Sequence, residues 1–289
     1  MVKKFKFGKF CVNLSFVLLC LAVAVPFLII IGSSFQDKAG FLKNGYTLLP
    51  KDISFSAYAY IFHQPGQLLN SYMVTIFVTT VGTVLGMTMM TMLAYVISRD
   101  DYPYKNIVSF FIYFTMLFSG GMVANYIWVA KYLNMSNSIW SLILPLLMSP
   151  FNIFILRTSC KAIPGALIES AKLDGASEIY IFIKIVVPLS VTGIATVALM
   201  TIFTYWNSWF QSMLYINDNS YVSLHYYLIQ LLEGASDELA AMDTTSASMI
   251  SKEAFKMALC TLAVLPMLFV FSFLQKYFVK GITVGSVKG

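Results

Sequence analysis

Six runs of the chain carry no charged residue over a length that could cross a bilayer, and short polar stretches separate them. The first run occupies positions 10–36 behind Lys3, Lys4, Lys6 and Lys9. The apolar region of a secretory signal holds about 7–15 residues, so a longer run behind a basic start predicts a transmembrane helix, here over about 10–35. The same pattern predicts further spans over about 69–98, 107–129, 139–157, 189–216 and 255–278. Gly120 and Gly121 break or end the third run, and Pro145 and Pro150 interrupt the fourth. Between the first two spans, residues 37–70 mix Lys38, Lys43, Lys51 and Asp52 with aromatics, enough chain for a small interfacial helix. In the second span, Gly82 and Gly86 at GxxxG spacing let another helix approach closely, either within the chain or across a subunit interface.

Two longer polar stretches stand out. Residues 164–188 read P-G-A-L-I-E-S-A-K-L-D-G-A-S-E-I-Y-I-F-I-K-I-V-V-P. Pro164 suits the first turn of a helix, helix formers follow through Leu173, and Gly175 after Asp174 is a stop. Ser177 can cap the next helix, so the expected shape is a short helix, a tight turn and a strongly apolar second helix ending at Pro188. A short helix of this kind calls for a partner with a complementary groove. Residues 217–252, rich in Asp, Glu, Ser and Thr, read as a solvated loop.

Composition agrees with the pattern. The 289 residues are 58% hydrophobic and 11% charged, against roughly 25% charged in ordinary soluble domains, so the chain reads as an all-α integral membrane protein, one domain of six transmembrane helices over residues 1–289. The net charge of +6 is scattered over short loops and forms no single basic face, which argues against nucleic acid as a partner and for membrane orientation. With the N-terminus inside, thirteen Lys and Arg fall on the cytoplasmic side and six outside. Both termini and the 159–188 loop are then cytoplasmic, and 217–252 is external.

Candidate chemistry is sparse. Cys11, Cys20, Cys160 and Cys260 form no CxxC pair, and His63 and His225 have no ligand-type neighbour at metal-binding spacing, so neither a metal nor a disulfide is expected. The span cores contain no Asp, Glu, Lys, Arg or His, which disfavours an ion-coupled secondary carrier and leaves no nucleophile–base pair for an embedded enzyme. A carrier that coordinates sodium by backbone oxygens alone stays open, although paired broken helices in two repeated halves are not evident. Phe118-Ser119-Gly120-Gly121-Met122 looks like the signature of an ABC ATPase, but no G-x-x-x-x-G-K-[ST] phosphate loop accompanies it. Energy for transport would come from another protein.

Glu169-Ser170-Ala171-Lys172-Leu173-Asp174-Gly175-Ala176, with Phe182 and Pro188, closely resembles the E-A-A-x-x-D-G-A-x-x-x-x-x-F-x-x-x-x-x-P loop of ABC importer permeases, Ser170 replacing the first Ala. Gly120-Gly121, Leu142-Ile143-Leu144-Pro145, the Tyr205-Trp206-Asn207-Ser208-Trp209 cluster and the 281–289 tail extend the resemblance to oligosaccharide importers, the class of the smaller maltose permease. The resemblance implies a type I ABC importer permease fold in a bacterial cell membrane. Its coupling helix, through Glu169, Ser170, Ala171, Leu173, Asp174, Gly175 and Ala176, would dock on the ATPase. It also implies the partners: a second homologous permease, two cytoplasmic ATPase subunits and an extracellular sugar-binding protein, besides membrane lipid. No cofactor is then expected on this chain, ATP and Mg being used by the partner ATPase.

Two further sites stay open. The 233–251 tip, through Glu233, Gly234, Asp237, Glu238 and Asp243, either enters the binding protein or is plain solvated loop. Tyr205, Trp206, Asn207 and Trp209 either face substrate in the pore or form an interfacial belt and core packing. The tail either packs at the ATPase dimer or is unstructured. The alternatives to an oligosaccharide importer are the ion-coupled carrier, which would transport when reconstituted alone, a permease for a non-sugar solute, and a structural membrane subunit.

Overall fold

A computed structural model describes residues 7–62, 65–241 and 251–286, and among these there are helices and turns but no strand. The chain divides into two units, Met1–Pro65 with Leu228–Pro266, and Gly66–Tyr227 with Met267–Gly289.

In the first unit, α1 (Phe7–Ser34) is apolar on every side. Its most apolar stretch has a mean hydropathy of 3.0 and no buried residue, the profile of a helix surrounded by lipid. Its last turn does pack: Gly32 lies against the Thr47 and Leu48 carbonyls, where any Cβ would collide. The Ser34 hydroxyl pairs with Tyr58 Oη at 2.8 Å, Gln36 donates to Thr47 Oγ1 at 3.0 Å, and Phe35 stacks on Tyr58. The mixed segment holds two short helices, α2 (Lys38–Asn44), capped by Asp37, and α3 (Ser56–Ile61).

The second unit is built on α4 (Pro65–Ser98), whose 34 residues rise about 51 Å, well beyond the roughly 30 Å hydrocarbon layer, so its ends reach polar surroundings. Leu68, Ser71, Val78, Gly82, Gly86, Met90, Ala94 and Ile97 form a buried stripe at helical spacing. Gly82 receives the ring of Tyr205, and a Cβ at Gly86 would stand 2.8 Å from the Leu147 carbonyl, so this glycine pair packs within the chain. Met90, Ala94 and Ile97 then meet Ile153, Leu156 and Val197 in a three-helix core.

The next helices are broken. α5 (Lys105–Leu117) turns through 116° into α6 (Gly121–Tyr126), which runs on as a π-turn through Tyr132. Gly121 makes that corner at φ +81°, which suits a residue without Cβ. α7 (Trp140–Ile143) passes through a 3₁₀ turn at Pro145 and a 54° bend to α8 (Pro150–Lys161), capped by Ser149. α9 (Gly165–Leu173) and α10 (Glu178–Ile181) follow. A π-segment, Phe182–Val186, joins α10 to α11 (Val187–Leu189), and the missing N–H and the ring of Pro188 explain the loosened ladder there. An 82° bend leads to α12 (Val191–Trp206).

Two expectations are corrected here. The fifth run is not one helix over 189–216, because Asn207–Trp209 separate α12 from α13 (Phe210–Tyr215). The supposed 217–252 loop contains a 3₁₀ turn and the 18-residue α14 (Leu224–Ala241). Leu224, Leu228, Leu231 and Leu232 recur at helical spacing between the acidic and hydroxyl residues that suggested a loop. Last, α15 (Lys252–Ser286) carries Pro266 within it and continues helically into the supposed tail, ending three residues before Gly289. α1, α4 and the Lys252–Ser272 part of α15 are each long and apolar enough to cross a membrane alone. The α5–α6, α7–α8 and α10–α12 pairs reach that length only as bent units.

Candidate functional site

The sequence at α9 encodes its own termination. Asp174 is the C-cap and Gly175 follows at φ +80°. Gly175 N–H donates to the Lys172 carbonyl and Ala176 N–H to the Ala171 carbonyl, each at 3.0 Å, the paired bonds of a Schellman stop. The Asp-Gly-Ala of the motif thus has a backbone role. Pro164 lies one place before the expected first turn, as the N-cap, and Ser177 accepts from Tyr180 N–H at 3.3 Å to start α10, as its type suggests.

The seven docking candidates divide by face. Glu169, Ser170, Leu173, Asp174 and Gly175 are exposed. Ala171 and Ala176 are half-buried, packing with Ile168 onto a small core of Tyr95, Cys160, Ile181 and Val186 while both also line the groove beside the helix. Leu173 is 89% exposed, the highest value among the described large hydrophobic residues. Beside the helix an open groove of 940 Å³ is lined by Ser170, Ala171, Asp174, Gly175, Tyr180 and Lys184, among others.

Four charges cluster at the C-terminal end of α9. Arg99, just beyond α4, forks onto Asp101 and also reaches Glu178, the first residue of α10. Lys172, in the last turn of α9, bonds Asp101 at 3.1 Å and Glu178 at 3.2 Å. Tyr95 Oη accepts from Arg99 at 3.0 Å and donates to Glu178 at 3.1 Å. The hydrogen bonds from Arg99, with help from Lys172, hold the Asp101 carboxyl well below the usual carboxylate range, and the Asp101 hydrogen bond raises Arg99 in turn. Hydrogen bonds to Asp101 and then Glu178 raise Lys172. At Glu178, partial burial works upward but is outweighed by bonds from Lys172 and Tyr95, so its carboxyl is also lowered. Arg99, Asp100, Asp101 and Lys105 make one of the short polar stretches between apolar runs, and its mixed signs are the signal that sequence carries for this cluster.

The other candidates are dispersed. Tyr205 and Trp206 are buried at 1% and 5% exposure, so they belong to the subunit's core and do not face a pore. Tyr205 Oη donates at 2.9 Å to the Ile143 carbonyl, an acceptor left over where α7 gives way to the 3₁₀ turn. Asn207 and Trp209 are exposed, with Asn207 donating to the Phe203 carbonyl at 2.9 Å. A separate cavity of 620 Å³ at the α7–α8 break is lined by Met90, Ser149, Asn152, Met200, Thr201 and Phe203, among others, and by none of the aromatic cluster. Glu233 and Gly234 are exposed on α14, Asp237 and Glu238 lie further along it, and Asp243 lies outside the described residues. Among the described residues no group of three His, Cys, Asp or Glu could hold a metal ion.

The chain is similar to known proteins over nearly its whole length. The polygalacturonan/rhamnogalacturonan transport system permease protein YtcP of Bacillus subtilis (strain 168) is 38% identical over 279 residues, 96% of this chain and 95% of the relative. Protein LplC of the same organism is 38% identical over 265 residues, 92% of this chain and 89% of the relative. A crystal structure of a bacterial ABC transporter involved in the import of the acidic polysaccharide alginate contains a chain that superposes with a TM-score of 0.81 at 25% identity, over 96% of this chain and 99% of that one. Residues 101–284, which include α9 with Asp101, Lys172 and Glu178, match the family of binding-protein-dependent transport system inner membrane components. On that match and on these near full-length relatives, the chain belongs to that family and is a non-catalytic membrane permease component.

Proposed function

We propose that this chain forms, with a second homologous permease, the translocation pathway of an ATP-driven importer of oligosaccharides rich in acidic sugars, and that α9 is the helix on which a cytoplasmic ATPase acts. Two ATPase subunits and an extracellular binding protein complete the complex. The carrying observation is Leu173, a leucine 89% exposed at the polar end of a self-terminating helix. Apolar area presented so fully, flanked by Glu169 and Asp174, suits burial in a partner's cleft, with the carboxylates meeting basic or backbone donors. Three single helices and three bent pairs support six spans, and the basic excess at their ends supports cytoplasmic termini and external α14. The acidic sugar class is supported by the relative named for polygalacturonan and rhamnogalacturonan and by the structural neighbour that imports alginate. Exposed Glu233 and Gly234 suit a contact with the binding protein.

Co-expression with the ATPase subunits tests the assignment. Glu169→Lys with Asp174→Arg should abolish ATPase co-purification and uptake while leaving the amount of permease in the membrane unchanged. ATP hydrolysis by the parent complex should rise with binding protein and tetragalacturonate and not with maltotetraose. Persistence of ATPase and uptake in the reversal variant contradicts the docking role, and stimulation by maltotetraose alone contradicts the acidic class.

A further inference from the structure

The charges at the C-terminal end of α9 form a closed ring. Arg99 pairs with Asp101 and Glu178, and Lys172 pairs with the same two carboxylates, so each of the four has two partners of opposite sign. They come from three separate segments: the turn after α4, the last turn of α9 and the first turn of α10. Arg99 is withdrawn from solvent at 13% side-chain exposure, with its guanidinium 5.6 Å above the Tyr95 ring, so the hub of the ring is fixed to α4 itself.

Apolar contact alone anchors α9 weakly. None of its nine residues is fully buried, and Ile168 and Ala171 are its contacts with the small core beneath. A helix this short is marginal without tertiary support. Isolated surface pairs contribute little, whereas a network seated on a partly buried, forked arginine holds a defined geometry. The other end of the connection is a rod: α4 continues for 34 residues, with its stripe packed against α8 and α12.

We propose that the Arg99–Asp101–Lys172–Glu178 ring is the strut that makes α9 and α4 move as one piece, carrying a displacement of α9 into the membrane. Arg99, Asp101 and Glu178 are positioning residues: they lie outside α9 itself and act on it through Lys172. This rests on α9 being the ATPase-docking helix.

The test uses the complete complex with Cys11, Cys20, Cys160 and Cys260 replaced and spin labels at Met92→Cys on α4 and Ala166→Cys on α9, both exposed positions. The distance between the labels is measured by pulsed electron resonance without nucleotide and with ATP trapped by vanadate. With the ring intact, one narrow distribution should hold in both states. In Glu178→Gln, and independently in Asp101→Asn, the trapped state should lose that narrow peak, with ATPase co-purification retained; Glu178→Asp, which keeps the charge, should restore it. A merely stabilising ring would not make the change depend on nucleotide. The strut is overturned if the distribution changes between states with the ring intact, or stays narrow in both neutralised variants. Loss of ATPase co-purification on neutralising the ring also overturns it, since the ring would then support docking. Absence of ATPase from the parent complex would instead defeat the docking reading of α9.

Discussion

Gly175 holds φ at +80°, and both bonds of the α9 stop depend on that geometry. A Cβ in this region costs about 1–2 kcal/mol, so Gly175→Ala should fray the end of α9 and weaken ATPase co-purification while the melting temperature of the purified permease changes little. Tyr205 makes the opposite kind of contribution. Its hydroxyl satisfies the Ile143 carbonyl and its ring fills the space at Gly82, so Tyr205→Phe should cost about 1–3 kcal/mol through an unpaired buried acceptor. That loss is expected as a lower melting temperature in detergent with ATPase binding unchanged. Some of this was legible in residue types alone: Gly175 after Asp174 announced a stop and Ser177 announced a cap, because those roles depend on local backbone chemistry. The packing of Ala171 and Ala176 onto a core was not, since which face of a short helix meets one depends on the surface beneath it.

Among the elements, apolar runs located the spans but not their breaks. Pro145, Pro150 and Gly121 marked three discontinuities because each restricts or frees the backbone at its own position. The break at Asn207–Trp209 has no such residue, and α14 was hidden because the polar residues on either side of its leucines dominated the composition of residues 217–252. The ring at the end of α9 lay further out of reach: its members are up to 79 residues apart, and sequence carries no register between such segments. The pH response of the ring follows from its shifts. Asp101 and Glu178 are lowered, so their stabilisation is complete above the ordinary carboxylate pKa of about 4 and is lost as pH falls through that range and below. Lys172 is raised, so its share is complete below about pH 10 and is lost only at higher pH. The label distance between α4 and α9 should therefore be the same at about pH 6 and about pH 8, and a change within that interval would place a different titrating group in control.

For the whole molecule, span cores without Asp, Glu, Lys, Arg or His lack the side chains that ion-coupled carriers ordinarily use, and membership of a binding-protein-dependent family places the energy source in a partner. Coupling on the proposed reading therefore depends on a single surface meeting that partner. A photoactivatable amino acid at Leu173 tests this most directly. Illumination of the complex in membrane vesicles should give one adduct, with the ATPase subunit, while the same probe at Asn219 at the opposite end of the domain should give none with it. No ATPase adduct from Leu173, or an equal ATPase adduct from Asn219, would contradict the claim that α9 is where ATP hydrolysis reaches this permease.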